Sequence, residues 1–273
     1  MSACFLARSR GFLLGVLATS FVVGELSPAA AAAAEVALAT SAPEIHAESS
    51  APFGLQTVKL RDGILQQKWG DIEEAIAAEK AIIARCQYER DKCESPAAIR
   101  FISILDSARS RTGLGKIGEI NRAFNLAIKP ISDLAQYGVE DKWTSPLATL
   151  SAGAGDCEDY AIAKFVALSE IGIPADDIQL VILRETATAE DHAVVAVRFE
   201  SRWHLLDNRH LIMIEDRQLD HYRPSFAMGA DGAKRFDTTG PVFARTTPET
   251  PASDPVRQTK IFVEAGFSFS AVG

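Results

Sequence analysis

Three residues, Glu200 to Arg202, separate the apolar segment HAVVAVRF (192–199) from WHLLD (203–207), and so short a connection implies an antiparallel hairpin. A strand-like run, IQLVIL (178–183), precedes the pair, and LIMIE (211–215) follows it as a further strand or short helix. The chain before residue 170 has a different period. Trp69, Ile72, Ala75, Ile76, Ile82 and Ile83 recur at helical spacing, with acids early and Lys80 and Arg85 late, which suits the helix dipole. Ser95 caps and Pro96 opens a second predicted helix reaching about Arg109. GLGKIGEIN then separates it from a third, Ile117 to Ile128, which Pro130 ends. Asp141 to Gly155 is rich in turn formers, and Cys157 to Glu170 is a fourth helical stretch stopped by Gly172 and Pro174. Helices first, then a helix packed on an antiparallel sheet, give an α+β fold.

The N-terminus has a separate logic. Arg8 and Arg10 precede the apolar run GFLLGVLATSFVVG, which is shorter than a bilayer requires, and Ala29 to Ala34 supply small residues for cleavage. Residues 1–34 therefore read as a signal peptide for export, with a retained anchor as the alternative. Residues 35–65 form an irregular lead-in with one short strand. A single domain is expected over 66–226, divided into a helical lobe (66–140) and a core (141–226). Residues 227–273 form an extension completing or edging the sheet, with KIFVEAGF (260–267) as a candidate edge strand. Cleavage removes two arginines and one glutamate, taking the formal net charge from -8 to -9. An acidic chain with no basic run excludes nucleic acid as a partner.

Export decides how the cysteines are read. Cys4 leaves with the leader, and Cys86 and Cys93 flank QYERDK closely enough for a local disulfide, with two separate thiols as the alternative. Cys157 is then the odd cysteine of the mature chain. It lies in the first turn of a predicted helix entered through AGAGD, where unpaired N–H groups and the helix dipole favour a thiolate and can stabilise an oxyanion. A nucleophilic thiol needs a base, and the base needs a group that fixes its tautomer. The mature chain offers His46, His192, His204, His210 and His221. His192 opens a strand after the polar TATAED loop and has the strongest position. Asp207, on the companion strand, is placed to orient it, although a one-residue slip in register would turn the carboxylate to the other face. His210, with Asp207 or Asp216, is the internal alternative.

The stretch DKWTSPLATLSAGAGDCEDYAIAKFVAL (141–168), followed by DHAVVAV (191–197) and WHLLDN (203–208), resembles the bacterial transglutaminase-like cysteine proteinases, whose members include periplasmic LapG-type proteases. The resemblance runs from Trp69 to about Phe226, with GDCEDY its most specific element. It implies a papain-like, transglutaminase-like fold in which Cys157 attacks, His192 is base and then acid, and Asp207 orients His192. It also implies a periplasmic location and calcium held by Asp156 and Glu158. The implied substrate is the N-terminal region of a large surface adhesin, cut after a paired alanine, and the implied regulator is an inner-membrane cyclic-di-GMP receptor. Trp143 is a candidate for lining the cleft.

Carboxylates at 156, 158 and 159 are hard ligands suited to calcium, although six to eight oxygens are needed and no EF-hand spacing is present. The alternative is a helix cap at Asp156 followed by first-turn acids, with Asp159 structural. Another acyl-transfer enzyme, an amidase or transglutaminase, would use the same three groups. A non-catalytic binding module would bury Cys157 without organising His192 or Asp207.

Overall fold

The computed structural model describes residues 51–238. A one-turn 3-10 segment, Pro52–Gly54, leads into strand β1 (Gln56–Lys59) and then into helix α1 (Ile64–Tyr88). Helices α2 (Pro96–Arg109) and α3 (Gly113–Ala127) follow, then the two-residue strand β2 (Lys129–Pro130), the short helices α4 (Asp133–Tyr137) and α5 (Pro146–Ala152), and strand β3 (Ala154–Gly155). Helix α6 (Cys157–Glu170) precedes the main strands β4 (Ile178–Glu185), β5 (Asp191–Phe199) and β6 (Arg202–Leu206). Strands β7 (Ile214–Glu215), β8 (Tyr222–Gly229) and β9 (Gly232–Asp237) complete the order. No helix among the described residues is long and apolar enough to cross a membrane.

Seven strands form one sheet in the order β1, β9, β8, β4, β5, β6, β7, with every pairing antiparallel. Alternation along β5 divides its side chains between two cores. Ala193, Val195 and Val197 meet the buried face of α6 (Ile162, Val166) and helices α1 to α3 in the larger core. Val194 and Ala196 turn the other way, toward Trp203, Leu205 and Tyr222. Trp69 of α1 packs edge-on against Phe165 of α6 with centroids 5.3 Å apart, tying α1 to α6.

The expected α+β order is present, with several local differences. The hairpin turn is two residues and not three: Phe199 pairs with Arg202, and Glu200 and Ser201 both adopt left-handed φ, the backbone of a type I′ connection. Helix α3 takes in the glycine-rich segment expected to separate two helices, because burying Ile117, Ile120 and Phe124 outweighs the roughly 1 kcal/mol helix penalty of each glycine. Turn-like 141–155 contains α5, whose first N–H groups are capped from a distance: Glu79 of α1 accepts from Leu147 N at 2.9 Å and Ala148 N at 3.1 Å. Only Ile214 and Glu215 of LIMIE are strand, and Leu211 and Ile212 are exposed. The expected boundary at 226 falls inside β8 (Tyr222–Gly229), and β9 (Gly232–Asp237) pairs with it in the sheet. Residues 1–34, His46 and the candidate strand 260–267 lie outside the described residues.

Cys86 and Cys93 form the expected disulfide, with Cα atoms 4.8 Å apart, joining the end of α1 to the approach to α2. Closing so short a loop contributes about 2–3 kcal/mol in the chain-entropy account. Cys93→Ser is therefore expected to lower unfolding free energy by about that amount. Urea melts check this, and an unchanged midpoint would show that the bond does not staple the fold.

Candidate active site

Helix α6 begins at Cys157 because Asp156 is its N-cap, and the approach is held by the third helical residue: Asp159 Oδ2 accepts from Asp156 N at 3.3 Å. The other Asp159 oxygen accepts from Thr144 N at 2.9 Å and Thr144 Oγ1 at 2.7 Å, so this carboxyl pins the preceding loop to the helix start. A Cβ on Gly155 would stand 2.5 Å from Asp159 Oδ2 and 2.8 Å from Asp159 Cβ. The glycine before Asp156 is thus required by close approach. Gly155→Ala is expected to cost about 1–3 kcal/mol through overpacking and to slow alkylation of Cys157. Unaltered melting and labelling would refute that link.

The structure brings Cys157, His192 and Asp207 to one end of the sheet. Ala193 N donates to Cys157 Sγ at 3.2 Å, which fixes the sulfur against the start of β5, and Sγ lies 3.1 Å from Glu158 Oε2. His192 Nε2 is 2.9 Å from Asp207 Oδ1. In the pairing Val195 to Leu206, Asp207 follows the end of β6 and shares the face of Trp203 and Leu205, while His192 shares that of Val194. The register therefore turns both side chains to the same face. All three residues are buried, at 3%, 1% and 3% exposure.

Asp207 is held by more than His192. Arg209 N donates to Oδ1 at 2.9 Å and Tyr222 Oη donates to Oδ2 at 2.8 Å. Burial pushes this carboxyl up, but the His192 hydrogen bond and charge, with the Arg209 and Tyr222 donors, outweigh it and hold Asp207 below the ordinary carboxylate range. Asp207 is an ionised acceptor at neutral pH. With Nε2 committed to it, Nδ1 is the ring nitrogen left for proton transfer, and it is buried without a hydrogen-bond partner.

The other histidines are placed elsewhere. His210 is exposed, and its carbonyl accepts from Asn121 and Asn125. His204 is buried on β6 opposite Glu215, and His221 stacks against Tyr222. Trp143 packs at the margin of the larger core with Lys68 Nζ 5.4 Å from its ring centroid. Tyr222 and Arg209 were not anticipated, because β8 and the turn after Asp207 carry no local motif.

The family model for bacterial transglutaminase-like cysteine proteinases matches residues 74–222, a span containing Cys157, His192 and Asp207. The chain belongs to this family. It is a cysteine protease. Among solved structures it is similar to EGTA-treated Legionella pneumophila LapG, at 21% identity over 58% of this chain and 88% of that one, with a TM-score of 0.50. The calcium-bound form of that protein gives 22% identity, 56% and 87% coverage and a TM-score of 0.48. Likeness at this level speaks to the fold alone. No curated protein sequence matches the chain.

This proteinase carries five carboxyl groups behind and beside its cysteine. Oxygens of Asp133, Asp141 and Glu158 lie within 4.8 Å of one another, as do those of Asp133, Asp156 and Asp159. The two groups meet at Asp133, so the expected ligands Asp156 and Glu158 fall in adjoining groups. Like charges this close oppose each other's ionisation. Burial and the neighbouring acids raise Asp156 to about 6 and Asp159 to about 7, and push Glu158 well above its ordinary value. One oxygen each of Asp133, Asp141 and Asp156 is buried without a hydrogen bond. Unsatisfied, closely spaced oxygens of this kind fit a hard divalent cation. Asp159 is already committed to Thr144 and the helix cap, as its structural reading anticipated. Asp133 and Asp141 were missed, although Asp141 opens the family-like DKWTSP segment.

Proposed function

We propose that the chain is an exported, calcium-dependent endopeptidase in which Cys157 is the nucleophile, His192 the general base and acid, and Asp207 the group that orients His192. The observation that carries this reading is the 2.9 Å contact of His192 Nε2 with Asp207 Oδ1, beside an Ala193 N–H aimed at Cys157 Sγ. Nδ1 of His192 takes the thiol proton, and Asp207 stabilises the imidazolium that results. The thiolate attacks the scissile carbonyl carbon, and first-turn N–H groups of α6 face the developing oxyanion. Collapse of the tetrahedral intermediate breaks the C–N bond, and His192 returns the proton to the departing amine. A water deprotonated by His192 then hydrolyses the acyl-enzyme.

Asp156 and Glu158 would hold calcium, with Asp133 and Asp141 supplying further oxygens. The ion would supply positive charge beside the cysteine, offsetting acids that otherwise oppose thiolate formation. The proposed location is the periplasm, supported by the signal-like pattern of residues 1–34. The proposed substrate is the N-terminal region of a large surface adhesin, cut after a paired alanine, and the proposed regulator is an inner-membrane cyclic-di-GMP receptor. Both rest on the resemblance carried by GDCEDY, DHAVV and LLDN.

A Cys157→Ala variant of the exported form is expected to retain its substrate from the exported protein fraction, and mass spectrometry of the wild-type digest should place the cut after small residues. Capture of no protein, together with labelled-amine incorporation by the wild type, would transfer the reading from hydrolysis to transglutamination.

A further inference from the structure

Lys164 has no exposed surface, and the mechanism above does not use it. It lies on α6 seven residues after Cys157, two helical turns along the same face. Its Nζ donates to Asn121 Oδ1 of α3 at 2.8 Å. Asn121 Nδ2 in turn donates to the carbonyl of His210 at 2.8 Å. Asn125, one turn further along α3, donates from Nδ2 to the carbonyls of Asp207 and His210, both at 2.8 Å. A continuous hydrogen-bonded path therefore joins the nucleophile helix to the backbone of the turn that begins with Asp207.

We propose that Lys164 is a positioning residue: acting through Asn121 and alongside Asn125, it fixes the 207–210 turn, and so the carboxylate that orients His192. The inference rests on the Cys157, His192 and Asp207 reading. A buried ammonium is a costly way to fill space, since Met has nearly the same length and no charge to desolvate. Burial lowers Lys164 to about 7, with Asp207 acting in the opposite direction, so the two groups sense each other. The other titratable groups facing this end of the sheet are Glu185 of β4, paired with Arg209 at 2.6 Å, Asp191, paired with Arg184 at 3.0 Å, Tyr222, and Glu158 and Tyr160 of α6. None of them bonds the backbone of the turn at 207 or 210. That function falls to Asn121 and Asn125, and Lys164 orients the first of these.

The test is Lys164→Met in the exported form, with two readouts. The rate of Cys157 alkylation by iodoacetamide at neutral pH is expected to fall about tenfold to a hundredfold, the size of effect that a displaced catalytic group produces. The downfield imidazole proton of His192, which reports its bond to Asp207, is expected to shift upfield or broaden. The melting temperature should stay level or rise, whereas a purely structural lysine would lower it. Asn125→Ala, at a half-buried position, should reproduce the alkylation and imidazole effects if Lys164→Met fails to fold. Unchanged alkylation and imidazole signals in the folded variants overturn the proposal. His192→Ala separates the two levels: if it leaves alkylation unchanged, the triad reading fails first.

Discussion

Replacing Cys157 with alanine is expected to abolish proteolysis, and His192→Ala to lower it by roughly 10⁴-fold or more, the scale seen when members of a nucleophile–base unit are removed. The reason is geometric: Ala193 N, the backbone donor next to His192, holds the sulfur at 3.2 Å, and His192 Nδ1 is the ring nitrogen that Asp207 leaves uncommitted. Asp207→Asn should fall between these and wild type, because it keeps the shape but loses the charge that stabilises the imidazolium. Iodoacetamide labelling followed by peptide mapping provides the substrate-independent check. Cys157 should react fastest in the folded mature protein, and His192→Ala should slow it near neutral pH. Equal labelling of folded and unfolded protein, with no effect of His192, rejects an activated thiol.

The second large effect concerns calcium and pH together. In metal-free protein Asp156 titrates at about 6 and Asp159 at about 7, with Asp133 and Glu158 also raised, chiefly by burial. Carboxyls whose folded values exceed their unfolded ones favour the fold while protonated, and that contribution is lost as pH rises through their folded values. Chelator-treated protein is therefore expected to melt at lower temperature at about pH 7 than at about pH 5. Asp207 has the opposite sign, but its depressed value places its loss of stability in more acidic solution. Lys164, lowered to about 7, destabilises most at and below that value and recovers only toward its unfolded range, so it does not produce the expected decline.

Calcium needs the ionised carboxylates, so its binding should release protons and strengthen as pH rises. At a hundredfold excess over the dissociation constant it contributes about 2.7 kcal/mol, or about 5–10 °C for a domain of this size. Thermal melts with EGTA and with calcium, at both pH values, measure the difference. Coincident melts near neutral pH, with no heat of binding by calorimetry, would remove calcium from the mechanism. Asp156→Asn should reduce the calcium shift while leaving the Cys86–Cys93 disulfide intact.

Several parts of this architecture were legible because they depend on neighbours in the chain. Ser95 caps α2 through Ala98 N at 3.2 Å, as the Ser-Pro entry indicates, and the disulfide joins cysteines seven residues apart. The hairpin was legible too, because a tight connection between two apolar strands has few alternatives. Helix α5 was not, since its cap is Glu79, nearly seventy residues earlier. The beginning of α3 is not legible in the sequence because glycine propensity is local, whereas the burial that overrides it comes from packing.

The same division holds at the site. Sequence alone determined the residue types and their order: a cysteine at a glycine-led helix start, a histidine opening one strand and an aspartate ending the next, with acids flanking the cysteine. Only the tertiary structure decided that His192 and Asp207 share a face, because a strand alternates every residue and the register depends on the two-residue turn at Glu200 and Ser201. It alone brought Asp133 and Asp141 to the acids of α6, Tyr222 and Asn125 to Asp207, and Lys164 to Asn121. Those contacts join elements far apart in the chain, and local patterning carries no record of which distant groups will meet.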